Sequence, residues 1–136
     1  MSRPLIILVI DDDDRIVDTL VKMISCLGHE AVCVESTQME AMIRAGSKPD
    51  VIMTDVFMPK VEGLSIIRMV QNSAFRDVPI LAMSGGGKTL GGERDVSNSY
   101  FAKAAVDFGA AKFLAKPFSL GQLREAITEC RALLSA

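Results

Sequence analysis

Residues 6–17 read IILVIDDDDRIV, so that a run of apolar residues meets four consecutive aspartates, Asp11 to Asp14. Asp55 follows VIMT, Ser84 follows PILAM and Lys116 follows KFLA. If those apolar runs are neighbouring strands pointing one way, three acids (Asp11, Asp12 and Asp55), a hydroxyl and an amine collect at one edge. Two carboxylates about 4 Å apart repel by about 4 kcal/mol at an effective dielectric of 20, so a site that converges them needs a cation or a proton. Such a set can hold a hard divalent cation and receive an anionic group. Mg2+ suits it, because that ion is usually bound by one or two carboxylates and completes its shell with water and phosphate oxygens. Asp13 and Asp14 need no cation, since acids at a helix start satisfy free N–H groups and the helix dipole.

The elements that must position these residues are legible as an alternation. Residues 5–10, 31–34, 51–54, 79–83 and 112–115 are short apolar runs without polar alternation, which predicts strands covered on both faces in a parallel sheet. Between them, Ile16, Leu20, Met23, Ile24 and Leu27 recur at helical spacing before Gly28. A second helix opens at Thr37, with Glu40 at capping-box spacing, and closes at Gly46. A third covers about 64–71 and a fourth about 99–108, before Gly109. The fifth starts at Ser119, with Gln122 at capping-box spacing, and is expected to bury Leu120, Leu123, Ile127, Cys130 and Leu134 on one stripe. Five strand–helix pairs imply an α/β, doubly wound, five-stranded parallel sheet with helices on both faces, in one domain spanning 1–136. In open sheets of this class, ligands bind outside the carboxyl ends of the strands, where the chemistry-bearing residues stand.

Composition narrows the function classes. A chain of 136 residues is long enough for a real core. With 49% hydrophobic and 24% charged residues it is an ordinary globule. A net charge of −2, without a Lys/Arg run, gives no footprint for nucleic acid or for anionic membrane. No stretch reaches membrane-spanning length, and the first apolar run is too short for a signal segment, so a cytoplasmic location is expected. Cys26, Cys33 and Cys130 lack CxxC spacing and are read as reduced and buried.

Taken together, the acidic pair at 11 and 12, the stretch DVFMPKVEG (55–63) with its Asp-x-x-Met-Pro pattern and later Gly, Ser84, and KPF (116–118) resemble the receiver domain of two-component response regulators. The resemblance covers essentially the whole chain and implies a flavodoxin-like strand order of 2-1-3-4-5. It implies that Asp55 is the phosphoacceptor, served by a sensor histidine kinase, a phosphotransfer protein or a small acyl phosphate. Mg2+ would be held by Asp12, Asp55 and the backbone carbonyl of Phe57, with Asp11 acting indirectly or pairing with Lys116. Lys116, preceding Pro117 across a cis peptide, would bond a phosphoryl oxygen, while Ser84 and Phe113 would form the switch. Lacking a hydroxyl, Phe113 can report the state only by packing. A stand-alone switch without an effector domain is expected, monomeric or weakly dimeric, catalysing only its own phosphorylation and hydrolysis. A downstream protein partner would read a surface near the fourth helix, fifth strand and fifth helix.

Other readings compete. Asp11 and Asp13 also form an Asp-x-Asp pair, as in an Mg2+-dependent phosphatase resembling the haloacid dehalogenase class with Asp11 as nucleophile; no late acidic pair or cap-sized insertion supports it. AMSGGGKT (82–89) comes within one residue of a phosphate-binding loop, but Leu90, Gly91 and Gly92 would spoil the helix such a loop needs. A flavin site is disfavoured because Tyr100 is the only Tyr and there is no Trp. Lys116 lies 32 residues after Ser84, longer than the family pattern, and the surplus falls in the glycine-rich segment 85–98, expected to lie over the phosphorylation site. His29 is expected in a helix-to-strand turn away from the acidic edge.

Overall fold

The computed structural model describes residues 3–56, 63–84 and 102–134. Five strands, β1 (Ile6–Ile10), β2 (Glu30–Cys33), β3 (Val51–Asp55), β4 (Ile80–Ser84) and β5 (Lys112–Ala115), pair in parallel in the order β2-β1-β3-β4-β5. The helices are α1 (Asp14–Cys26), α2 (Met39–Ala45), α3 (Gly63–Gln71), α4 (described over 102–108) and α5 (Leu120–Leu134). This is the expected α/β, doubly wound arrangement.

The missing polar alternation has a direct cause. Successive side chains on a strand face opposite ways, and both faces are covered here. Leu8, Ile10, Ile52, Ile80 and Ala82 pack with Met39 of α2, Ile66, Ile67 and Val70 of α3, and Ala105 of α4. Ile7, Val9, Met53, Leu81, Met83 and Leu114 pack with Leu20 and Ile24 of α1, and with Leu123, Ala126, Ile127 and Cys130 of α5. The edge strands β2 and β5 are only partly buried.

Helix ends follow the sequence signals in most places. Gly28, Gly46 and Gly109 all take positive φ after α1, α2 and α4. At the start of α5 the Ser119 N–H donates to Gln122 Oε1 at 2.7 Å, while the Gln122 N–H donates to Ser119 Oγ at 3.1 Å, the predicted capping box. The start of α2 differs. A 3₁₀ turn, Ser36–Gln38, precedes it, and the reciprocal bond is Glu35 N–H to Gln38 Oε1 at 3.1 Å, two residues before the predicted Thr37 box. The ladder runs on to Val34, whose N–H donates to the Val9 carbonyl at 3.1 Å, and the chain turns at Ser36, which puts Glu35 in the capping position.

Two further expectations are corrected and a third is extended. Only Cys130 is buried; Cys26 closes α1 and Cys33 lies on an edge strand, and both are exposed. Leu120 and Leu134 are exposed at the two ends of α5, beyond the sheet they were expected to cover. His29 is more than a turn residue: its Nδ1 accepts the Leu5 N–H at 3.0 Å, fastening the entry to β1.

That bond requires neutral imidazole nitrogen. Burial, and secondarily the charge of Arg131, push the His29 pKa below the usual histidine value. A depressed folded pKa means that the unfolded chain binds more protons, so the stability held in this contact is full above about pH 6.5 and is lost as pH falls below it. Urea midpoints should therefore drop between pH 7.5 and 5.5 in the wild type and change less in His29→Gln. Equal slopes would remove His29 from the account.

Candidate functional site

Parallel strands bring their carboxyl ends to one rim, and register decides which side chains meet there. Asp55 of β3 stands beside Met83 of β4, and Ser84 beside Ala115 of β5. The Val56 N–H donates to the Met83 carbonyl at 2.9 Å, and the Lys116 N–H to the Ser84 carbonyl at 2.8 Å, so the ladder continues one residue beyond each strand. Asp11 follows β1 directly, between β2 and β3 in the sheet order.

The side chains converge as predicted for Asp11, Asp55 and Lys116. Lys116 Nζ donates to Asp11 Oδ2 at 2.8 Å and to Asp55 Oδ2 at 2.9 Å. The Asp11 side chain is 2% exposed, that of Asp55 11% and that of Lys116 15%. Burial alone would lower the Lys116 pKa, but Asp55 and Asp11, through charge and hydrogen bonds, hold it above the usual lysine value. The Lys116–Pro117 peptide is cis. One ammonium between two buried carboxylates is the charge arrangement that the opening acidic cluster demanded.

The remaining site residues fall in four groups. Ser84 is fully buried on the same rim, next to the strand that carries Asp55. Phe113 lies opposite Ala82, partly buried on the face covered by α3 and α4, so it touches the layer that includes Ala105. Asp12 is exposed, one residue past Asp11, and among the described residues no three His, Cys, Asp or Glu side chains form a ready cage. Phe57, Met58 and the glycine-rich segment 85–98 lie outside the described residues.

Asp13 and Asp14 behave as helix-start acids. Asp13 Oδ1 accepts the Arg15 N–H at 3.0 Å, which is the first cause holding the Asp13 carboxyl below the usual range. Sequence reasoning missed the second use of Asp11, whose Oδ1 accepts the Asp13 N–H at 2.9 Å. An aspartate bonding the backbone two residues on is a common turn device, and the DDD run carried that signal. Both Asp11 oxygens are thus engaged, Oδ1 by the Asp13 N–H and Oδ2 by Lys116.

Comparison with known proteins agrees with this geometry. Residues 7–128 match the family model described as the response regulator receiver domain. Response regulator MprA of Mycolicibacterium vanbaalenii is 30% identical over 131 residues, covering 96% of this chain and 51% of that protein. The chain thus spans about half the length of the curated relatives it matches. Among solved structures, a response regulator receiver domain protein from Clostridium thermocellum is 26% identical with a TM-score of 0.77, covering 97% of this chain and 99% of that one. The receiver domain of NtrX from Brucella abortus is also 26% identical, with a TM-score of 0.75, covering 96% of this chain and 99% of that one. A rim that joins Asp11, Asp55 and Lys116 on a 2-1-3-4-5 sheet, and a family match across nearly the whole length, lead to one conclusion: this chain belongs to the response regulator receiver domain family.

Proposed function

We propose that the chain is a phosphorylation-controlled protein switch in which Asp55 accepts the phosphoryl group. The observation that carries this reading is the Lys116 ammonium shared between Asp11 and Asp55. A carboxylate oxygen of Asp55 attacks the phosphorus of a phosphohistidine, on a sensor kinase or phosphotransfer protein, or of an acyl phosphate. The bond to the donor breaks, the donor group leaves with the electron pair, and an aspartyl phosphate remains. Hydrolysis by water releases inorganic phosphate and restores the carboxylate.

Phosphoryl transfer needs mainly positioning and charge neutralisation. Lys116, already 2.9 Å from Asp55 Oδ2, is placed to donate to a phosphoryl oxygen. Asp11 holds that lysine from the other side. The hard oxygen donors at the rim fit Mg2+, which Asp12 and Asp55, with the Phe57 carbonyl, would hold and which would neutralise charge on the transferring group. Ser84 supplies a hydroxyl on the next strand, and Phe113 couples the rim by packing to the layer beneath α4. A downstream protein reads the altered face formed by α4, β5 and α5. Among the described residues no helix is long and apolar enough to cross a membrane.

The test is incubation with acetyl phosphate and Mg2+ followed by peptide mapping. Label is expected on the peptide carrying Asp55, at background in Asp55→Asn, and still on Asp55, though slower, in Asp11→Asn. Label on Asp11 would transfer the reading to the phosphatase class.

A further inference from the structure

Gly63 opens α3 and is buried, and its backbone is not among those with positive φ. Conformation therefore does not ask for glycine there. Helix propensity argues against it, since glycine in a helix costs up to about 1 kcal/mol relative to alanine. Space does ask for it. A Cβ built at Gly63 would fall within the atoms of the Asp55 carbonyl oxygen and the Val56 Cα, and 2.7 Å from the Asp55 carbonyl carbon. These are backbone atoms, which cannot swing aside as the end of a flexible side chain does. By contrast, a Cβ at Gly28 or Gly46 would meet nothing within 4 Å.

The peptide so contacted is the one that leaves Asp55. It is already fixed from the β4 side by the Val56 N–H bond to the Met83 carbonyl at 2.9 Å. From the Lys116 side the Asp55 carboxylate is fixed by the bond of 2.9 Å. The start of α3 closes a third side. We infer that Gly63 is a positioning residue for Asp55: the bare Cα lets α3 press on the Asp55–Val56 peptide and sets where the Asp55 carboxylate stands. This inference rests on the reading of Asp55 as phosphoacceptor. Gly63 itself touches no reacting atom.

Adding one methyl at residue 63 must push β3's end and α3's start apart, moving the carboxylate relative to Lys116. Misplacement of a reacting group by about 1 Å can cost about a hundredfold in rate. The experiment compares wild type, Gly63→Ala and Val70→Ala, the last a buried change two turns further along α3. Rates of Asp55 labelling by acetyl phosphate at saturating Mg2+ are taken per folded molecule, with trimethylamine N-oxide added where needed to restore the folded fraction. The Asp55 carboxyl carbon resonance is read in the same samples without phosphodonor.

Gly63→Ala is expected to lose at least tenfold in rate and to shift that resonance, while Val70→Ala keeps both near wild type after correction for folding. Wild-type rate and resonance in Gly63→Ala, or equal losses in Val70→Ala, would overturn the inference. If wild type takes no label at Asp55, the phosphoacceptor reading fails, and the resonance comparison still decides whether Gly63 places that carboxylate.

Discussion

Lys116→Met is expected to destabilise the fold by about 3–5 kcal/mol at pH 7, the range seen when one partner of a buried ion pair is removed. The Asp11 and Asp55 carboxylates, 2% and 11% exposed, would then face each other without a cation. The lysine side chain retains 15% exposure, so some water reaches the site and the lower end of the range applies. One condition should shrink the difference from wild type. At high pH the wild type loses its own advantage: Lys116 has a raised folded pKa, so its contribution is full below about 10.5 and is lost as pH rises through the higher folded value. Urea unfolding across that pH span checks the claim. A variant within about 1 kcal/mol of wild type at pH 7, with a parallel profile, would show that the lysine neutralises little. On the proposed function, labelling of Asp55 should also fall, because the ammonium that would meet the phosphoryl oxygen is gone.

The second large effect lies far from the rim. Phe75→Ala is expected to cost about 3–5 kcal/mol, since Phe75 is 1% exposed and ranks among the largest fully buried side chains. It packs with Ile66, Ile67 and Val70 on the face covered by α3. Its turn is tightly held: Ser73 Oγ donates to the Val70 carbonyl at 2.8 Å and accepts the Phe75 N–H at 3.0 Å, and the Val78 N–H reaches the Phe75 carbonyl at 2.9 Å. The fixed turn prevents the chain from collapsing into the space left behind. A domain of this kind commonly has about 5–15 kcal/mol in total, so roughly a fifth or more would go. A urea midpoint lowered by less than a third of that expectation, with unchanged slope, would mean that the turn does relax.

Phe75 also shows where sequence reading runs out. Strands and long helices announce themselves by period, and Leu20, Ile24, Leu123 and Ile127 were placed by spacing alone. A single aromatic between a helix and a strand has no period, and its burial depends on a turn bonded through Ser73. The capping box of α2 failed for a related reason. Glu35 to Gln38 and Thr37 to Glu40 have the same spacing, and the choice between them depends on where the chain leaves β2. Strand ends gave the site its parts, because parallel order carries Asp11, Asp55, Ser84 and Lys116 to one rim whatever the loops do. Spacing could not say that Lys116 bridges both acids, nor that the hydrogen of Gly63 is needed against the Asp55 peptide. Such contacts depend on how folded elements meet rather than on spacing along the chain.

At the opposite rim, the Arg3 side chain grips Asp50 with two bonds of 2.8 and 3.0 Å, and Arg131, near the end of α5, donates to the Arg3 carbonyl at 2.6 Å. The beginning and the end of the described chain are therefore clasped together on the side away from Asp55. Strands of five residues at about 3.3 Å each put roughly 16 Å of sheet between the two rims. Any module tethered to either end would hang from the underside of the sheet. If Asp55 gains a charge as proposed, news of it would have to travel that full depth, along β5 or down α5, or be collected sideways by a visitor that never touches the tether.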